Sequence, residues 1–124
     1  MKLVRFGETG LELPGIVDQH GQIRDASSFV DDWEGKSLST KSLNALASLD
    51  LSVLPIVSAE VRLGSPIALP GKIICVGLNY ADHAKETGFE TPKEPLVFFK
   101  SPTALCGPND PIKIPKTATA VDWE

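Results

Sequence analysis

Proline placement sets the limits on this fold. Of the ten prolines only Pro14 lies before position 50, and the other nine run from Pro55 to Pro115. A proline inside a helix removes a backbone donor and clashes with the preceding turn. The stretch after residue 50 therefore favours short strands broken by Pro/Gly turns, and that spacing predicts a β-rich second half. Lys72 to Val76 reads as an apolar strand closed by Gly77, Leu96 to Phe99 as another, Ile112 to Ile114 as a short third, and Val121 to Glu124 as the start of a fourth. Gly107-Pro108-Asn109-Asp110-Pro111 is turn chemistry. Between Pro70 and Pro92 one short helix fits, over Tyr80 to Thr87. Asn79 is placed to cap it, Asp82 to answer in capping-box fashion, and Gly88 to stop it.

The opening half reads differently. Lys2 to Phe6, Leu11 to Val17 and Gln22 to Arg24 are strand-like, the last two joined through a polar turn at His20-Gly21. Ser39 is a helix N-cap, and Leu43, Leu46 and Ala47 follow at helical spacing to make a short apolar face. The Gly/Pro-rich stretch Gly64 to Gly71 reads as a linker. The expected architecture is α+β: a small N-terminal α/β domain over residues 1–66, then the beginning of a β-rich domain over 67–124. The alternating pattern that starts at Val121 has no cap or polar tail after it, which reads as a chain truncated in mid-strand at Glu124.

Composition closes off several classes of function. The chain of 124 residues is 42% hydrophobic and 23% charged, which is globular rather than disordered. Its net charge is −4 and it has no basic stripe, so nucleic-acid binding is not expected. An acidic protein with an anionic substrate needs a local cation or a metal at its site. No apolar run approaches membrane-spanning length, and Lys2 and Arg5 are not followed by a signal-peptide core. Cys75 and Cys106 lack metal-binding spacing and read as reduced thiols in a cytoplasmic protein, with Cys106 as a packing residue.

A few side chains could carry chemistry. His83 and Glu86 are three apart on the expected helix and share a face. A carboxylate beside an imidazole orients the ring and lets it draw a proton from water; the same H-x-x-E spacing also occurs as solvated surface. Asp122 and Glu124 are two apart in an expected strand and point the same way. Carboxylates so placed suit a hard divalent cation, or else form an acidic edge that discourages strand pairing. Lys100, at the end of an apolar run, could meet a substrate carboxylate or lie along the surface. His20 is a loop residue without an assigned role.

In combination these segments resemble the fumarylacetoacetate hydrolase family. Lys72-Ile73-Ile74-Cys75-Val76-Gly77-Leu78-Asn79-Tyr80-Ala81-Asp82-His83-Ala84-Lys85-Glu86 looks like the family's first strand and lid helix. Glu94 to Lys100, Gly107 to Ile112 and Val121-Asp122-Trp123-Glu124 match later blocks in order and spacing, and the likeness covers Pro70 to Glu124. Met1 to Gly7 is also similar to bacterial members with a small N-terminal domain. The resemblance implies a β-rich roll around a Mg2+ or Mn2+ site and a small-molecule oxo-acid substrate such as an acylpyruvate, which members cleave, decarboxylate, hydrate or isomerise. It implies that His83 and Glu86 form the water-activating dyad, that Glu124 is the first metal carboxylate with its companions beyond this sequence, and that the working form is a homodimer. Asp122 fills a frequent family position that is not a ligand. Leu78 stands where some members have Arg, so an acid contact made there is lost or replaced. Two rivals accompany this reading: an isomerase, decarboxylase or ureidoglycolate lyase of the same family, and an inactive fragment or association module for the 124-residue chain alone.

Overall fold

The computed structural model of the protein describes residues 1–121. Two sheets follow one another along the chain. The first is an antiparallel meander of β1 (Lys2–Phe6), β2 (Leu13–Val17) and β3 (Ile23–Asp25), with β2 in the centre. The second is the antiparallel pair β4 (Ile73–Gly77) and β5 (Leu96–Lys100). Helix α1 (Thr40–Ala47) follows the first sheet, and α2 (Ala81–Glu86) lies between β4 and β5. The α+β class read from the sequence holds. The first unit is a meander followed by a helix, with no strand–helix–strand alternation.

Local chemistry explains the meander. Its second turn is built on Asp18, whose Oδ1 accepts from the His20 and Gln22 amides at 2.9 Å each, while Gly21 takes φ +79. The Arg24 Nε–H donates to Asp18 Oδ2 at 2.8 Å and clamps β2 to β3. Pro14 occupies the central strand opposite Arg5, a place where proline would ordinarily cost a ladder bond. Its carbonyl accepts from Ala26 N–H, so its backbone faces the β3 side, where β3 has already ended at Asp25. The missing N–H therefore faces no ladder acceptor.

Both edges of this sheet are covered by one returning segment. Extended chain at 55–57 bridges Arg24 through Ile56, and 62–64 bridges Phe6 through Leu63. These bridges occupy backbone groups of Arg5 and Gly7 at the end of β1 and of Ile23 and Asp25 on β3, which leaves less free edge for another strand. Beneath the sheet Ile16, Ala26, Trp33 and Leu46 form the core, packed round by Leu3, Val30, Leu38, Leu43, Leu49 and Leu51. Trp33 is fully buried and its indole N–H donates to the Val4 carbonyl at 2.7 Å. Ser39 caps α1 as expected, accepting from Ser42 N–H at 3.3 Å, and Leu46 is the residue α1 buries. Ala47, expected on the same apolar face, is exposed: α1 presents only a narrow stripe.

The second sheet is thinly covered. In β4, Ile73, Cys75 and Gly77 are half-buried while Ile74 and Val76 face outward; in β5, Leu96 to Phe99 are all exposed. A two-stranded ribbon has little stability of its own. Three expectations fail in this half. Tyr80, and not Asn79, is the N-cap of α2, and it makes no side-chain cap bond, so there is no Asn79–Asp82 capping box. Residues 112–114 pair with no strand among the described residues; Pro111 removes a donor on one side of them and Pro115 on the other. Cys106 is exposed, not packed. Gly88 does end the helix: at φ +73 it lets the Phe89 amide reach the Ala84 carbonyl (2.9 Å) and its own amide reach that of Lys85 (3.2 Å).

Candidate functional site

The sequence placed its chemistry on the β4–α2–β5 unit. β4 runs into α2 through Leu78, which adopts φ +50, a left-handed conformation that an L side chain takes only under constraint. That turn and the 91–95 loop enclose a recess of about 270 Å3, lined by Gly77, Leu78, Asn79, Thr91, Pro92 and Glu94 among others. His83 and Glu86 stand on α2, three residues apart and both exposed. No hydrogen bond joins them among the described residues, and neither lines the recess. The His83 carbonyl accepts from the Thr87 amide (3.1 Å) and hydroxyl (2.9 Å), which fixes the backbone beneath the ring and leaves the ring to solvent. Ala84 is the residue by which α2 is anchored. Lys100 ends β5 opposite Ile73 and is half-buried.

Glu124 and Asp122, the expected metal ligand and its neighbour, lie outside the described residues. Among the described residues, no three His, Cys, Asp or Glu side chains converge as a metal site would require. The donor set of those residues therefore does not by itself fit a divalent cation.

A different polar centre, which sequence reasoning missed, sits where the first sheet meets the 101–110 segment. Five charges form a chain in the order Asp32, Arg5, Glu12, Arg62, Asp110. Arg5 grips Asp32 with two bonds, at 2.7 and 2.9 Å, and approaches Glu12 at 3.5 Å. Arg62 donates to Glu12 Oε1 at 2.9 Å and the Gly7 carbonyl at 3.0 Å, and holds Asp110 with two bonds at 2.7 and 2.6 Å. Two-pronged Arg–carboxylate pairs are the strong form of ion pair. Burial alone would raise the Glu12 pKa; the bond from Arg62, the backbone amides and the charge of Arg5 outweigh it and hold the carboxyl below its ordinary value. Arg62 likewise lowers Asp110, helped by the Gly107 amide. The Arg62 guanidinium is raised, first by Asp110 and then by Glu12. A groove of about 420 Å3 is lined by Arg5, Glu12, Arg62 and Asp110 of the network together with apolar side chains such as Leu69 and Leu105. Residues 62 and 110 are 48 apart in sequence, and no local pattern announces their pairing.

The second half thus has a strand-to-helix turn followed by a helix that carries His83 and Glu86. All 124 residues align with proteins named "Putative hydrolase" from Burkholderia ambifaria at 51% identity and Burkholderia lata at 51%, and with a protein of similar name from Burkholderia multivorans at 52%. The match covers all of this chain and 44% of each relative, so the chain spans less than half their length. Residues 72–124 match the family described as fumarylacetoacetate (FAA) hydrolase, C-terminal. The matched stretch is the one in which the motifs resemble that family. The alignment with these relatives also covers residues 1–71, the stretch that holds the first sheet. Among the described residues no helix is long and apolar enough to cross a membrane.

Proposed function

We propose that the protein carrying this chain is a divalent-metal-dependent hydrolase or lyase that cleaves a C–C bond in acylpyruvates or related 2-oxo acids. The observation that carries this reading is the family match over residues 72–124, within which β4 leads directly into the helix bearing His83 and Glu86. In this reading Glu86 orients the His83 ring, and the ring takes a proton from water so that hydroxide adds to the substrate carbonyl. The bond to the neighbouring carbon then breaks, and its electron pair passes to an enolate that is later protonated. Lys100 would meet the substrate carboxylate. Because the two helix side chains are not bonded in this structure, the pair would tighten only around substrate.

The proposed cofactor is Mg2+ or Mn2+, with Glu124 as a ligand; when bound it would supply positive charge for the carboxylate and the enolate. The proposed working form is a cytoplasmic homodimer, acting on a small oxo acid without nucleic-acid or membrane partners.

The test is His83→Ala in the protein at its relatives' full length. C–C cleavage should fall by roughly 10²–10⁴-fold, while Mg2+ binding measured by calorimetry stays as it was. Unchanged turnover would remove the dyad from the mechanism. A panel of substrates with Mg2+ separates cleavage from the isomerase, decarboxylase and ureidoglycolate lyase alternatives.

A second reading concerns the 124-residue chain alone, as an inactive fragment or association module. It is favoured by the outward apolar side chains of β4 and β5, among them Ile74, Val97 and Phe99. Exposed strands of this kind self-associate. A compact, well-behaved monomer in sedimentation would count against it.

A further inference from the structure

Among the described residues the two sheets share no apolar core cluster. The core cluster belongs to the first unit, and the strands of the second sheet make their extensive contacts with each other. What meets the first unit is the segment after β5, and it meets it through charge. Arg62 leaves the strand-like stretch that covers β1, and Asp110 closes the Gly107–Asp110 turn. The fork between them is only partly shielded: 27% of the Arg62 side chain and 18% of the Asp110 side chain remain exposed.

Three further features prepare the joint. The Gly107 amide donates to Asp110 Oδ2 at 2.7 Å, so the turn aims its own carboxylate at Arg62. Gly107 is buried against the first unit, where any Cβ would run into the Leu63 carbonyl oxygen. On the other side a Cβ at Gly64 would collide with the Glu12 side chain at 2.8 Å, so the bare backbone there makes room for the carboxylate that holds Arg62 from behind. The Gly64 amide donates to the Arg5 carbonyl at 2.8 Å and keeps that backbone in place.

We infer that Glu12, Arg62 and Asp110, with Gly107 as the contact point, form a releasable ionic latch that docks the 101–110 segment, and through it the end of β5, onto the first sheet. The latch can open without exposing the core of the first unit, because the apolar cluster of that unit lies elsewhere. Opening frees the second sheet to move while β1–β3 stays folded. Glu12 stays bridged to Arg5 when Asp110 lets go, so the first unit keeps a compensated charge and does not unravel.

Hydrogen exchange on the full chain, read by mass spectrometry, tests this. In Arg62→Ala the peptide spanning 101–111 should exchange about tenfold faster, as a locally opened segment does, while peptides over β1 and β2 keep wild-type protection. Gly107→Ala opens the same joint sterically and leaves every charge in place; it should give the same pattern. Asp110→Asn, which weakens the fork from the segment side, should give a smaller acceleration than either. Unchanged exchange at 101–111 in Arg62→Ala overturns the latch. So does loss of protection across β1–β3 in both Arg62→Ala and Gly107→Ala, which would make the network part of the first unit's scaffold. Faster exchange in Gly107→Ala alone would assign the joint to shape and refute its ionic character.

Discussion

Trp33→Phe is the most informative single perturbation of the first unit. The side chain is fully buried among Ile16, Ala26 and Leu46, and its N–H adds a bond to the Val4 carbonyl, a residue already paired with Gly15 across the β1–β2 ladder. Phenylalanine keeps an aromatic ring in the site but removes the donor and the second ring. The lost ring is equivalent to about two buried methylene groups, or roughly 1.6 kcal/mol. The lost hydrogen bond adds about 1 kcal/mol net, since the carbonyl retains its strand partner. The sum is about 2–3 kcal/mol, a large share of the ~5–15 kcal/mol that holds a domain together. At roughly 4 °C per kcal/mol for a chain of this size the melting temperature should fall by about 10 °C. Circular dichroism with heat and urea measures both quantities without relying on the missing indole. Val53→Ala, at a residue 72% exposed, is the control and should change stability by less than about 0.5 kcal/mol. A loss under about 1 kcal/mol for Trp33→Phe would refute the assignment of Trp33 as the keystone of the core.

Two further outcomes follow from the geometry. Glu12 and Asp110 have folded-state pKa values below their ordinary ones, so the stability they contribute is fully present above the ordinary carboxylate range and is lost as pH falls through the depressed folded values. An acid titration of exchange at 101–111 should show loosening on that limb, and Asp110→Asn should flatten it. Gly88→Ala forces a Cβ into a φ of +73 at the end of α2 and should cost about 1 kcal/mol; fraying of α2, followed by amide exchange at Thr87 and Phe89, checks it.

Local chemistry was legible and long-range pairing was not. Ser39, Gly21 and Gly88 act through backbone bonds to near neighbours, so residue type and position were sufficient to place them. The cap of α2 moved from Asn79 to Tyr80 because Leu78 turns the chain with a positive φ, and nothing in a leucine announces that. The strand expected at 112–114 had the right side chains; a strand also needs a partner, and its flanking prolines withhold donors. The helix with His83 and Glu86 was found where the pattern put it, but the pattern carried no information about the side chains' exposure. Arg5, Glu12, Arg62 and Asp110 carried no site signal in the sequence, because only the folded chain brings positions 12, 62 and 110 to one point.

Pro14 bears on how the chain finds its fold as well as on the fold it reaches. It lies where its missing donor is harmless only in the observed register, with Arg5 opposite and β3 ended. A slip of one residue between β1 and β2 would turn every side chain to the wrong face and bring the proline's backbone against a strand that needs an N–H. Mispaired hairpins are thus penalised twice while the chain is still collapsing. The residue that looks least suited to a central strand acts as a proofreader of the first sheet's assembly.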